Sequence, residues 1–100
     1  MVLHADVLEV LRGIVDPEIG INIVDLGLVY RAERSADAID IAMTMTTRAC
    51  PLGEMMLEEA KAALAQHFPD VPRVAVNLVW DPLWTPAMMT PQGREQLFNW

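Results

Sequence analysis

The chain has 100 residues, 53% of them apolar and 21% charged, which suits one domain over residues 1–100 with a single hydrophobic core. Its seven basic and fourteen acidic residues leave a net charge of −7, which disfavours nucleic-acid binding because phosphate backbones are also negative. No apolar run reaches the roughly 18 residues of a membrane span, and no signal-peptide pattern precedes the first helix, so we expect a cytoplasmic location.

Apolar residues near the N-terminus recur at three- and four-residue intervals, which predicts a first helix over residues 4–14. The Asp-Pro pair that follows ends this helix, because a residue before proline avoids helical geometry. The stretch DPEIGINIVDLGLVY, residues 16–30, should then begin as a loop that carries Asp16 and Glu18. Gly27 indicates a bulge or a close approach of two backbone segments.

Apolar and polar residues alternate over 28–33 and again over 39–46, which predicts two strands. The short polar segment at 35–37 would join them as an antiparallel hairpin. Helical spacing returns from Pro51 to about His67, and proline suits the first position of a helix.

Alternation over residues 74–80 predicts a third strand, and a proline-rich loop then leads to a short helix near 91–98. This order of elements predicts an α+β fold, a two-layer αββαβ sandwich with a small mixed three-stranded sheet and a short C-terminal helix.

The single cysteine lies in the stretch MTMTTRACPLGEMM, residues 43–56. A lone cysteine in such a domain is commonly one more small buried apolar residue. Cys50, however, directly precedes the predicted helix, where unpaired backbone N–H groups favour a thiolate. This position favours a functional thiol that is reactive or binds a metal.

Other polar residues of the two stretches have two readings each. Thr46 and Thr47 are good strand or capping residues, but they could also hydrogen-bond an anion beside Cys50. Asp16 and Glu18 could cap backbone N–H groups or be solvated, or they could join the thiolate in a ligand set for iron or zinc.

The C-terminal part is rich in methionine and tryptophan. These residues are expected to pack against the domain, and an exposed patch of them would suit a partner protein or a homodimer contact. They are Trp80, Trp84, Met88, Met89 and Trp100.

The two stretches quoted above and a third, VNLVWDPLWTPAMMT (76–90), occur in an order and at separations that closely resemble the SufT- and PaaD-like iron-sulfur cluster assembly domain family. The likeness extends from about Val7 to Gln96. It implies an αββαβ fold and a role in maturing iron-sulfur clusters or delivering them to apo-proteins.

The resemblance also implies a functional pocket. Its acidic residues would be Asp16 and Glu18, with Ile19 lining the same pocket. Thr46, Thr47 and Cys50 would come from the second stretch.

We therefore expect an accessory factor in which Cys50 is a transient ligand of iron or of an iron-sulfur cluster, assisted by Asp16 and Glu18. A stable cluster usually needs four protein ligands, and one chain has one thiol, so a monomer should not retain a cluster. The partners would be scaffold proteins, client apo-proteins or a second copy of the chain. The alternatives are an enzyme with a Cys50 nucleophile and an adaptor that binds partners without chemistry.

Overall fold

The structure is a computed structural model, and it describes residues 4–46 and 52–98. These described residues form three α-helices, three strands and one short 3-10 helix. In chain order they are α1 (Ala5–Leu11), β1 (Val29–Arg34), β2 (Ala38–Met43), α2 (Leu52–His67), β3 (Arg73–Leu78), the 3-10 helix (Pro86–Met88) and α3 (Pro91–Phe98).

The three strands form one mixed sheet in the order β1-β2-β3. β1 runs antiparallel to β2, and a register shift interrupts the pairing between Val29 and Arg31. β2 runs parallel to β3, from the pair Ala38 and Arg73 to the pair Met43 and Leu78. The predicted αββαβ order and mixed sheet are confirmed.

The core lies between one face of the sheet and the helices α1 and α2. Ile39, Ile41 and Met43 are fully buried because side chains alternate across a strand and these three share the inner face. The helices contribute buried residues at helical spacing, namely Val7, Leu11, Met56, Ala60 and Leu64.

The outer face of the sheet carries polar contacts. The Asp40 carboxylate accepts a hydrogen bond of 3.0 Å from the Arg31 guanidinium and one of 3.2 Å from the Asn77 amide. Asp40 therefore links the side chains of all three strands on this face.

Residues 79–90, here called the C-terminal strap, cross the loop that precedes β1. The Tyr30 hydroxyl donates to the carbonyl oxygen of Pro82 at 2.8 Å, and the Trp84 indole donates to that of Leu26 at 2.6 Å. Gly27 has a φ of +78°, and a Cβ atom there would lie 2.2 Å from the carbonyl oxygen of Met88. Gly27 is thus a point of close approach, as its sequence position predicts.

A buried carboxylate fixes the far end of the strap. Asp25 accepts hydrogen bonds from the Thr90 hydroxyl at 2.9 Å and from the Asn22 amide at 2.8 Å. The same Thr90 hydroxyl accepts a bond of 3.0 Å from the Gly93 backbone, so it also caps α3.

The structure differs from the sequence-based predictions in the bounds of its elements, since β2 ends at Met43 and β3 at Leu78, before the predicted ends at 46 and 80. Helix α1 ends at Leu11, because the amides of Gly13 and Ile14 bond to carbonyls three residues earlier, and such bonds tighten a last turn. In the described C-terminal part, methionine and tryptophan residues pack against the domain as predicted, since Met89 is buried and both Trp80 and Trp84 pack on the core. Across residues 4–46 and 52–98, no helix is long and apolar enough to cross a membrane.

Candidate functional site

Backbone hydrogen bonds close the loop that carries Asp16 and Glu18, the two acidic residues predicted for the site. Val15 forms an isolated antiparallel bridge with Asn22, and the Asp16 amide donates to Ile21 at 3.1 Å. Gly20 closes the loop through a 2.7 Å bond from its amide to the Asp16 carbonyl, in a conformation with φ of +81°. Few L-residues adopt this φ, so glycine suits the position.

Extended geometry before the loop decides which side chains face the core. Ile14 is 6% exposed and Asp16 is 0% exposed, whereas Val15 between them is 46% exposed. This alternation is the period of two that an extended segment imposes. The Asp16 carboxylate, for which the sequence left solvation open, is therefore buried.

The two oxygens of Asp16 have different surroundings. Oδ1 accepts hydrogen bonds from the backbone amides of Glu18 at 2.9 Å and Ile19 at 3.3 Å. Oδ2 is buried and has no hydrogen-bond partner among the described residues. Because a buried carboxylate oxygen without a partner is costly, Oδ2 is suited to bind a hydrogen-bond donor or a cation.

The other predicted residues of this loop lie nearer the surface. Glu18 is exposed, and Ile19 is half-buried and packs on the core. The loop thus holds one acidic side chain inside the protein and presents a second to solvent.

The second predicted stretch leaves the sheet at the end of β2. The Thr44 amide donates to the Leu28 carbonyl at 2.8 Å, Met45 is buried, and Thr46 is half-buried. Thr47 and Cys50 lie outside the described residues, so their roles stay predictions.

A groove of about 750 Å³ separates the acidic loop from the first turns of α2. Sequence reasoning missed this groove, because its two sides are some forty residues apart in the chain. Its lining residues are Val15, Pro17, Leu52, Glu54, Met55, Met56, Glu58 and Glu59. In the sequence, Asp16 lies between Val15 and Pro17, and Cys50 precedes Leu52 by two residues.

No group of three or more histidine, cysteine, aspartate and glutamate side chains is arranged to hold a metal ion in the part of the chain that the structure describes. The described charged donors near the groove are oxygen atoms of carboxylates. Oxygen donors suit hard cations, and a thiolate would have to supply the softer part of an iron site.

A second cavity, of about 890 Å³, lies under the C-terminal strap, where its walls include Tyr30, Ala42, Val79 and Met88. Burial raises the pKa of the Tyr30 hydroxyl above its ordinary value of 10.0, and the neighbouring Asp81 carboxylate raises it further. Among the described residues that line this cavity, none is a predicted site residue.

Comparison with known proteins decides the family. Residues 4–78 match the model of a family described as iron-sulfur cluster assembly protein. The chain belongs to this family. The matched range contains the acidic loop, all three strands and α2.

Two bacterial relatives are similar to the chain over most of their length. It is 40% identical to the Fe-S protein maturation auxiliary factor YitW of Bacillus subtilis, over 92% of this chain and 90% of that protein. It is also 40% identical to the Fe-S protein maturation auxiliary factor SufT of Staphylococcus aureus, over 81% of this chain and 92% of that protein.

A solved structure of the family confirms the architecture. A domain of unknown function from Bacillus anthracis superimposes with a TM-score of 0.84 at 33% identity, covering 92% of this chain and 88% of that one. The predicted family and fold are therefore confirmed, and so is the general role in iron-sulfur cluster assembly or delivery that the family carries. The individual site residues stay predictions.

Proposed function

We propose that the chain is an accessory factor that helps to deliver iron or an iron-sulfur cluster to apo-proteins, with Cys50 as a transient ligand. Asp16 and Glu18 would assist it from the facing loop, and Ile19, Thr46 and Thr47 would complete the pocket. Family membership supports the general role. The observation that supports the site is the buried Oδ2 of Asp16, which has no hydrogen-bond partner among the described residues.

The chemistry of the donors fits a transient cargo. One chain offers one sulfur ligand, whereas a stable [2Fe-2S] or [4Fe-4S] cluster usually takes four protein ligands, mostly cysteines. The remaining ligands would come from a scaffold, a client or a second copy. The cluster would therefore be shared with a partner and released to it.

Asp16 would act as a fixed oxygen donor. Two backbone amides hold its Oδ1, so the carboxylate keeps one orientation, and Oδ2 is left without a hydrogen-bond partner among the described residues. Glu18 is exposed and more free to move, so it would contribute as the incoming or outgoing oxygen ligand. We place this activity in the cytoplasm, with iron-sulfur scaffolds and client apo-proteins as partners.

The test is anaerobic reconstitution with ferrous iron and sulfide, followed by transfer to an apo-protein that needs a [4Fe-4S] cluster for activity. Bound iron and visible absorbance are measured for the wild type, for Cys50→Ala and for Asp16→Asn. Asp37→Asn, in the exposed hairpin turn, removes one negative charge far from the loop and serves as the control.

We expect Cys50→Ala to lose bound iron and client activation, and Asp16→Asn to retain the fold with several-fold less bound iron. Unchanged iron uptake and client activation in Cys50→Ala would reject the ligand role. Client activation without any iron uptake by the wild type would instead favour the adaptor.

A further inference from the structure

The groove beside the acidic loop exposes apolar surface. The described residues include three exposed large hydrophobic side chains, and two of them, Val15 at 46% and Met55 at 59%, line this groove. Such neighbouring apolar side chains in a concave surface are typical of a contact site for a partner.

Three glutamates surround this apolar surface. Glu54, Glu58 and Glu59 are exposed, and none of them forms an ion pair or a hydrogen bond with another described side chain. Charges left without partners around an apolar groove are complementary to a positively charged partner.

The fold itself gains little from these charges. Glu54 lies in the first turn of α2, where the helix dipole favours an acid, but Glu58 and Glu59 lie beyond it. Glu54 and Glu58 are four residues apart on one helix, a spacing at which like charges repel and destabilise the helix slightly. The arrangement is therefore better explained by a contact than by stability.

We propose that this groove docks a basic segment of the client or scaffold protein. An apolar side chain of that segment would insert between Val15 and Met55, and flanking lysines or arginines would face the three glutamates. A second copy of this chain is a poor occupant, because a net charge of −7 opposes its approach to an acidic rim. In naming the client or scaffold, the inference rests on the proposed function.

Docking at this groove would bring the partner to the site of transfer. Val15 and Pro17 flank Asp16, and the opposite side begins at Leu52, just after the segment with Cys50. A segment held there would contact the chain beside the proposed ligands. Because the rim is charged and exposed, we expect association to weaken as salt concentration rises.

The direct test uses a fluorescein-labelled peptide, Gly-Lys-Arg-Leu-Arg-Lys-Gly, and fluorescence anisotropy at low salt. One comparison peptide has serine in place of leucine, and another has glutamate in place of each basic residue. We expect the basic leucine peptide to bind, the serine peptide to bind several-fold more weakly, and the acidic peptide not to bind. No binding of the basic leucine peptide up to millimolar concentration would overturn the inference.

Variants locate the binding. The triple variant Glu54→Gln, Glu58→Gln, Glu59→Gln should weaken binding about tenfold, since each rim charge contributes modestly. The matched control Asp37→Asn, Asp70→Asn, Glu95→Gln removes the same charge from exposed positions that do not line the groove. An equal loss of peptide binding in the triple variant and in the control would mean that the peptide is attracted by net charge alone. It would refute docking at the groove.

The apolar contact has its own matched pair. Met55→Gln should reduce binding several-fold, whereas Leu83→Gln, at the third exposed hydrophobic residue, should not. Equal effects, or no effect of either change, would contradict insertion of an apolar side chain between Val15 and Met55.

Two further measurements separate this inference from the proposed function. The triple glutamine variant should take up iron and sulfide normally but activate the client poorly, whereas Cys50→Ala should bind the peptide normally. Normal client activation by the triple variant would refute docking of the client here. Sedimentation velocity tests whether a second copy of the chain occupies the groove. A dimeric wild type together with a monomeric triple variant would mean that the groove binds a second copy.

Discussion

Gly27→Ala should destabilise the protein more than an ordinary glycine substitution in a loop. Gly27 and Gly20 both have positive φ, +78° and +81°, which alone costs alanine about 1–2 kcal/mol. A Cβ at Gly20 would meet nothing within 4 Å, whereas one at Gly27 would lie 2.2 Å from the Met88 carbonyl oxygen. Gly20→Ala is therefore a control that keeps the backbone cost and omits the collision.

The collision would push the C-terminal strap away from the loop before β1. Two strap hydrogen bonds lie close by, from Tyr30 to Pro82 and from Trp84 to Leu26, and each contributes about 1 kcal/mol. We expect a loss of about 1–2 kcal/mol for Gly20→Ala and about 3–4 kcal/mol for Gly27→Ala.

Urea unfolding followed by tryptophan fluorescence measures both free energies of unfolding. In thermal unfolding, 1 kcal/mol corresponds to about 4–8 °C for a domain of this size, so the two variants should be well separated. Equal destabilisation by the two substitutions would refute the claim that the strap packs against Gly27.

Two further predictions concern the strap. Tyr30 is the only tyrosine, so absorbance of the tyrosinate should report its titration alone, with a midpoint above pH 10.0 because burial and then Asp81 raise its pKa. Because the folded state favours the neutral hydroxyl, the stability that this group contributes is present below about pH 10 and is lost as the pH rises through the folded pKa. A titration midpoint at or below pH 10.0 would contradict this prediction. Thr90→Ala should cost about 1–2 kcal/mol in urea unfolding, because it removes the α3 cap and the bond to Asp25, while Thr90→Ser should retain most of the stability. Equal losses in Thr90→Ala and Thr90→Ser would assign the effect to packing of the methyl group instead.

The sheet and α2 could be predicted because their patterns are regular. Ile39, Ile41 and Met43 alternate with residues of the outer face, and Met56, Ala60 and Leu64 recur at four-residue intervals. The end of α1 could not be predicted in this way. Apolar spacing reports burial rather than helix, and Ile14 enters the core from an extended segment.

Asp16 and Glu18 stay predictions as site residues, and their surroundings could not be predicted from the sequence. Pairing with Asn22 sets which of Val15 and Asp16 faces inward, and this pairing depends on residues that follow the loop. Val15 follows Ile14 directly and is nevertheless exposed, where it lines the groove with Met55. The groove depends on contacts between distant segments, which no local pattern reveals.

Among the described strands, β2 alone has a neighbour on each side. Its last residue, Met43, pairs with Val29 and with Leu78, and its carbonyl oxygen accepts a 2.8 Å bond from the Val79 amide. Edge strands fray before a central strand does, so Thr44 and Met45 follow the most stably paired strand of the sheet. This anchoring fixes the position from which the chain leaves the sheet toward the candidate site.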